Sequence, residues 1–175
     1  MHNSFFDFIM YWASNKLIWI PLYIFILILI FREFKNQGFI ILLFSIALII
    51  CSDQLTSGLI KNMVERPRPS HEAALADTIH LVKDYHGGKY GFPSSHASTS
   101  FAIAAFIFFL LRKRFSWIVF VLLPYAMLVS YSRIYLGVHY PGDVVCGMLT
   151  GIFLGYIFFK IFQRIKNYKL FGLSA

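Results

Sequence analysis

Long uncharged stretches alternate with short charged ones along this chain. Apolar runs extend from Leu17 to Phe31, from Gly38 to Ser52 and on past Asp53 to Ile60, from Ala97 to Leu111, from Phe115 to Ser132 and from Val144 to Phe159. Each run predicts a helix, although several fall short of the ~20 residues that cross a ~30 Å hydrocarbon layer. Their flanks make up the length. Lys16, Arg32, Arg112 and Lys160 can snorkel from helix ends, and Trp12, Trp19, Tyr23, Trp117 and Tyr156 suit an interfacial belt. Ahead of the first run, Phe5, Ile9 and Trp12 recur at helical spacing with Phe6, Met10 and Ala13 beside them, while Asp7 and Ser14 lie opposite. Residues 1–15 therefore read as an amphipathic helix on the membrane surface. The alternative, one span from Phe8 to Phe31, would bury Lys16 in lipid at high cost. The predicted fold is all-α: a single polytopic membrane bundle of about five transmembrane helices plus this interfacial helix.

Composition supports lipid as the solvent. Hydrophobic residues make up 58% of the chain and charged residues 14%, against roughly 45–50% and about 25% in soluble domains. The net charge of +8 alone would also suit a nucleic-acid partner, but its placement does not. Arg112, Lys113 and Arg114 sit between two apolar runs, and Lys160, Arg164, Lys166 and Lys169 follow the last, as cytoplasmic flanks of spanning helices do. Alternating five spans puts the N-terminus, the polar stretch 61–96 and the turn 133–142 on one face. Without Lys61, Arg68 and Arg133, that face keeps four basic residues, Lys16, Arg66, Lys83 and Lys89, against nine on the other. The polar stretch is thus expected on the outer side of a bacterial-type inner membrane, and the basic tail 160–175 in the cytoplasm. Cys51 and Cys146 fall inside apolar runs and read as packing residues.

Three polar clusters break the apolar pattern: Lys61 with Arg66-Pro67-Arg68-Pro69, then Pro93-Ser94-Ser95-His96, then Ser132-Arg133 with His139 and Asp143. The span count brings all three to one membrane depth. Lys61, Arg68 and Arg133 suit the non-bridging oxygens of a phosphoryl group. Ser94, Ser95 and the backbone N–H groups entering the third span add donors at a positive helix end. His139 with Asp143 makes an oriented nucleophile, and His96 suits a general acid and base. No carboxylate cluster for Mg²⁺ is present, so no metal or other cofactor is expected.

The same residues carry a family resemblance. Lys61 with six residues to Arg68-Pro69, Pro93-Ser94-Ser95-His96, and Ser132-Arg133 with five residues to His139 and three more to Asp143 resemble, in order and spacing, the three signature motifs of the type 2 phosphatidic acid phosphatase (PAP2) superfamily. The resemblance implies a metal-independent helical lipid phosphatase with a phosphohistidine intermediate. It also implies the roles given above for Lys61, Arg68, Ser94, His96, Arg133, His139 and Asp143. One departure is Ser95, where the second motif usually has Gly, so that a Cβ stands beside the phosphate position. Another is the span count, since members commonly have six.

The expected partner is a phosphorylated lipid. Among undecaprenyl pyrophosphate, phosphatidylglycerol phosphate, phosphatidic acid and lipid A, the small extramembrane portion favours the polyprenyl pyrophosphate. In the loop between the first two motifs, Arg66, Lys83 and Lys89 are candidates for gripping a second phosphate or headgroup, with Gly87-Gly88 as a hinge of a lid. A different class of reading makes Asp53, Arg133 and Asp143 the charge path of a small transporter or channel.

Overall fold

The computed structural model describes residues 2–75 and 78–167, and among these every regular element is helical. Helix α1 (Ser4–Ala13) is capped by Asn3, whose side chain accepts from the Phe6 amide. It stops at Ser14, and Asn15 starts the next turn by accepting from the Leu17 amide at 2.9 Å. That break excludes one unbroken helix from Phe8 to Phe31. Helix α2 (Ile20–Phe34) then turns at Lys35–Gln37 into α3 (Gly38–Asp53), with Lys35 at φ +49°. A π-helical stretch, Gln54–Ile60, leads from α3 into the short α4 (Lys61–Val64). After the polar loop come α5 (Ser95–Leu111), α6 (Val119–Tyr135) and α7 (Pro141–Asn167).

The stretches Lys16–Val64, Ser116–Tyr135 and Pro141–Lys166 are long and apolar enough to cross a bilayer; α5 is shorter. Large apolar side chains such as Leu43, Phe120, Leu149 and Phe153 cover the outside, where a water-soluble bundle would carry charge. Chain segments 160–167, expected as tail, continue α7. The reason is packing: Phe159 and Phe162 are buried while Lys160 and Arg164 point outward. Lys169 and the rest of the tail, 168–175, lie outside the described residues.

Helix α5 is the hub, packed against α3, α6 and α7. Its contact with α7 rests on Gly147, Gly151 and Gly155, four residues apart on one face. A Cβ on these would meet the Ser94, Ser98 and Ala102 carbonyl oxygens of α5, respectively. Small residues at this spacing let two backbones approach within lipid, where packing rather than hydrophobicity drives association. Gly151→Val should therefore cost about 1–3 kcal/mol through overpacking, read as a lowered midpoint of thermal unfolding in detergent.

This close approach sets the starts of α5 and α7 side by side, and the Ser94 amide donates to the Asp143 carbonyl at 2.9 Å. The basic turns gather at the opposite end. Arg114 Nε lies 4.0 Å from Glu33 Oε2, and Lys166 Nζ stands 5.7 Å from the Phe34 ring centroid.

Candidate active site

All the residues of the three polar clusters that were assigned to phosphate binding or catalysis meet at one end of the bundle. Lys61 arrives from α4, Arg68 from the loop after it, Ser94, Ser95 and His96 from the start of α5, Arg133 from the last turn of α6, His139 from the following turn and Asp143 from the first turn of α7. Arg133 and His139 are each 2% exposed, and Asp143 is fully buried.

At the centre, His139 Nδ1 lies 3.2 Å from Asp143 Oδ2, which also accepts from the Tyr140 amide at 3.0 Å. Arg68 Nη1 is 3.2 Å from His139 Nε2 and from the Val138 carbonyl. Arg68 donates, so Nε2 accepts and the ring proton sits on Nδ1, facing the carboxylate. This is the tautomer an attacking Nε2 requires. Burial, followed by the charges of Arg68, Arg133 and Lys61, pushes the His139 pKa far below the ordinary value of 6.5. The imidazole is held neutral. Arg68 is lowered to about 10 by burial and by Arg133, and so stays a cation at neutral pH.

The surrounding donors are fixed by second contacts. Arg68 Nε donates to the Tyr90 carbonyl at 3.1 Å. The Arg68 amide donates to the Lys89 carbonyl and the Gly91 amide to the Arg66 carbonyl, an antiparallel bridge of Pro67 with Tyr90. Gly91 makes this approach possible, because a Cβ there would stand 3.0 Å from Asp143 Oδ2. Lys61 Nζ lies 3.4 Å from Ser95 Oγ, so the serine that replaces the usual glycine gives the lysine a partner. Ser94 caps α5, its hydroxyl accepting from the Ala97 amide. His96 is half-buried, within electrostatic reach of Arg133, Lys16, Lys61 and Arg68.

Several partners are new. Arg133 donates to the Ser14 hydroxyl and, at 3.2 Å, to Tyr85 Oη. Ser14 was placed on the polar face of α1 by periodicity, yet that face packs towards α6: Asp7 accepts from Tyr135 Oη at 2.7 Å. Nothing in the local pattern announces either contact. The three candidate headgroup residues do not line the imidazole. Arg66 pairs with Asp143 Oδ1, Lys83 Nζ stands 4.1 Å from the Tyr11 ring centroid, and Lys89 Nζ stands 5.1 Å from that of Tyr90. Asp53 bonds Ser57 Oγ at 3.2 Å and sits in the wall of a cavity beside the site. Among the described residues, the one His, Asp or Glu group close enough to share a metal ion is His2, Asp7 and His80, which does not include the His139–Asp143 pair.

A neutral imidazole backed by a carboxylate and ringed by cations, at the end of a lipid-jacketed helical bundle, defines an integral-membrane protein built to handle a phosphoryl group. The sequence profile of the PAP2 superfamily matches residues 38–167, and the chain belongs to that superfamily. It is similar to the lipid A 4'-phosphatase of Bacteroides thetaiotaomicron, 38% identical over 94% of this chain and 73% of that protein. The crystal structure of Aquifex aeolicus LpxE superposes with a TM-score of 0.68 at 29% identity, covering 91% of this chain and 88% of that one. A transmembrane PAP2-type phosphatidylglycerolphosphate phosphatase from Bacillus subtilis shares the fold, with a TM-score of 0.71 at 22% identity over 94% and 80% of the two chains. The chain is a membrane phosphatase, and the transporter reading is set aside.

The His139 environment has a pH consequence. Its folded-state pKa lies below the unfolded value, so the imidazole stays neutral as pH falls through its ordinary range. The single-turnover rate should show no acid limb near 6.5. The same shift costs stability at low pH. The unfolded chain takes up the proton first, so this contribution is complete above the unfolded value and declines as pH drops below it.

Proposed function

We propose that the chain hydrolyses the phosphomonoester of a lipid A-type glycolipid through a phosphohistidine at His139. The observation that carries this reading is the number of cations at the imidazole. Lys61, Arg68 and Arg133 bear on His139, whereas Arg66 is paired with Asp143, and Lys83 and Lys89 stand over the Tyr11 and Tyr90 rings. Three cations suit the oxygens of one phosphoryl group better than the greater charge of a pyrophosphate. The undecaprenyl pyrophosphate favoured from loop size thus gives way to the monoester, in keeping with the similarity to a lipid A 4'-phosphatase.

In the first step His139 Nε2 attacks phosphorus, and the bond to the sugar oxygen breaks. His96 gives its proton to that oxygen. In the second step His96 takes a proton from water, whose oxygen attacks the phosphohistidine and releases inorganic phosphate. Lys61, Arg68 and Arg133 hold the developing charge throughout, and no step requires a metal ion.

An apolar cavity of about 470 Å³ opens between α2, α3, α5 and α6 beside Ser95 and His96, lined by Ile26, Ile49, Ile103, Ile107 and Val129. It offers an acyl chain a place while the headgroup phosphate reaches the imidazole. Basic turns at the far end of the bundle support an outward-facing site and a cytoplasmic C-terminus. The test is phosphate release from lipid A, undecaprenyl pyrophosphate, phosphatidylglycerol phosphate and phosphatidic acid by purified protein with chelator present. Lipid A should be turned over fastest. Preference for the pyrophosphate, or loss of activity with chelator, would overturn this reading.

A further inference from the structure

We propose that Arg66 is a positioning residue that shares the Asp143 carboxylate with His139 and thereby keeps the nucleophile unprotonated. Three observations converge on it. Arg66 Nη2 pairs with Asp143 Oδ1, while His139 Nδ1 takes Oδ2 of the same carboxylate at 3.2 Å. The Arg66 guanidinium is caged between the Phe92 and Tyr140 rings, 5.0 Å from each centroid. The bridge of Pro67 with Tyr90 makes this segment extended, and alternate residues of an extended segment share a side. Arg66 and Arg68 therefore face the same way, one gripping the carboxylate and the other the far nitrogen of the ring.

The electrostatic consequence follows from which groups surround His139. Arg68 approaches from the loop, Lys61 from α4, His96 from α5 and Arg133 from α6, and all of them disfavour a charged ring. Asp143 from α7, its Oδ2 3.2 Å from Nδ1, is the neighbour among the described residues that favours it. An arginine on the other carboxylate oxygen divides that influence: Asp143 still orients the ring through Nδ1–H but attracts a proton to it less strongly. The electron-rich faces of the two aromatic rings suit a guanidinium, and their hold makes Arg66 part of the structure rather than a mobile contact for substrate.

The inference rests on His139 being the phosphoryl acceptor, and the experiment separates the two claims. Single-turnover rates of wild type, His139→Ala, Arg66→Gln and Arg66→Lys are measured against pH with an aryl phosphate, whose leaving group needs no proton. Activity surviving in His139→Ala refutes the underlying reading. With that reading intact, Arg66→Gln should move the acid limb up by about one pH unit, and Arg66→Lys should return it most of the way. A uniform loss at all pH values, or an unmoved limb, would overturn the proposal. Should Arg66→Gln fail to fold, Phe92→Leu loosens the cage and carries the same test: the limb must move in the same direction, by less.

Discussion

His139→Ala should lose phosphate release by about six orders of magnitude, the scale seen when a covalent nucleophile is removed. The side chain is buried and makes one bond at each ring nitrogen, to Asp143 and to Arg68. Alanine removes the proposed phosphoryl acceptor, and among the described residues no other imidazole lies between Arg68 and the Asp143 carboxylate. Water attacking directly would still meet three cations, so a small residual rate is expected. The measurement is kcat in detergent with the substrate that wild type prefers, alongside thermal unfolding to show an intact bundle. Loss of activity with the melting midpoint preserved assigns the effect to chemistry.

Arg68→Ala should lower kcat by about 10²–10³-fold, as removal of one preorganised donor to developing charge does. Arg68 has a second duty. Its Nε and Nη1 hold the Tyr90 and Val138 carbonyls at 3.1 and 3.2 Å, linking the loop to the turn that carries His139. Alanine leaves the buried Val138 carbonyl and the part-buried Tyr90 carbonyl without that donor. Arg68→Lys keeps the charge but cannot fork between these acceptors, so it should recover only a small part of the rate. Comparable activity in Arg68→Lys and wild type would show that charge alone matters.

The order and spacing of the three motifs made most of this site legible in the chain. Charged and imidazole side chains in a sequence dominated by Phe, Ile and Leu are costly, so their recurrence at run boundaries located helix ends on one face. What stayed hidden depended on contacts between distant segments. Arg66 looked like one more cation in a polar loop until the Pro67–Tyr90 bridge aligned it with Arg68. Ser14 and Tyr85 became partners of Arg133 only because α1 and the loop fold back onto α6. The α5–α7 contact had a readable signal, glycines every fourth residue from Gly147 to Gly155. Such spacing is meaningful once the opposing backbone is known.

The π-helical stretch Gln54–Ile60 shows the same boundary between local pattern and fold. At 3.6 residues per turn, an unbroken α-helix would set Lys61 roughly above Asp53. The wider turns change that phase, and Asp53 finds Ser57 while Lys61 turns to Ser95. The substrate lean towards a pyrophosphate rested on loop size alone. Loop length could not say that Lys83 would pack on Tyr11 and Lys89 on Tyr90, which leaves fewer cations at the imidazole than the loop contains.

The central claim is a covalent bond between phosphorus and His139 Nε2, and trapping that bond tests it most directly. In His96→Ala, the base for the second step is missing. An aryl phosphate with a labelled phosphoryl group, which needs no acid to leave, should therefore load the enzyme faster than water can clear it. Rapid quenching at high pH followed by peptide mapping should find close to one label per chain, on His139. Label on another residue, or none while aryl alcohol is still released, would contradict the account.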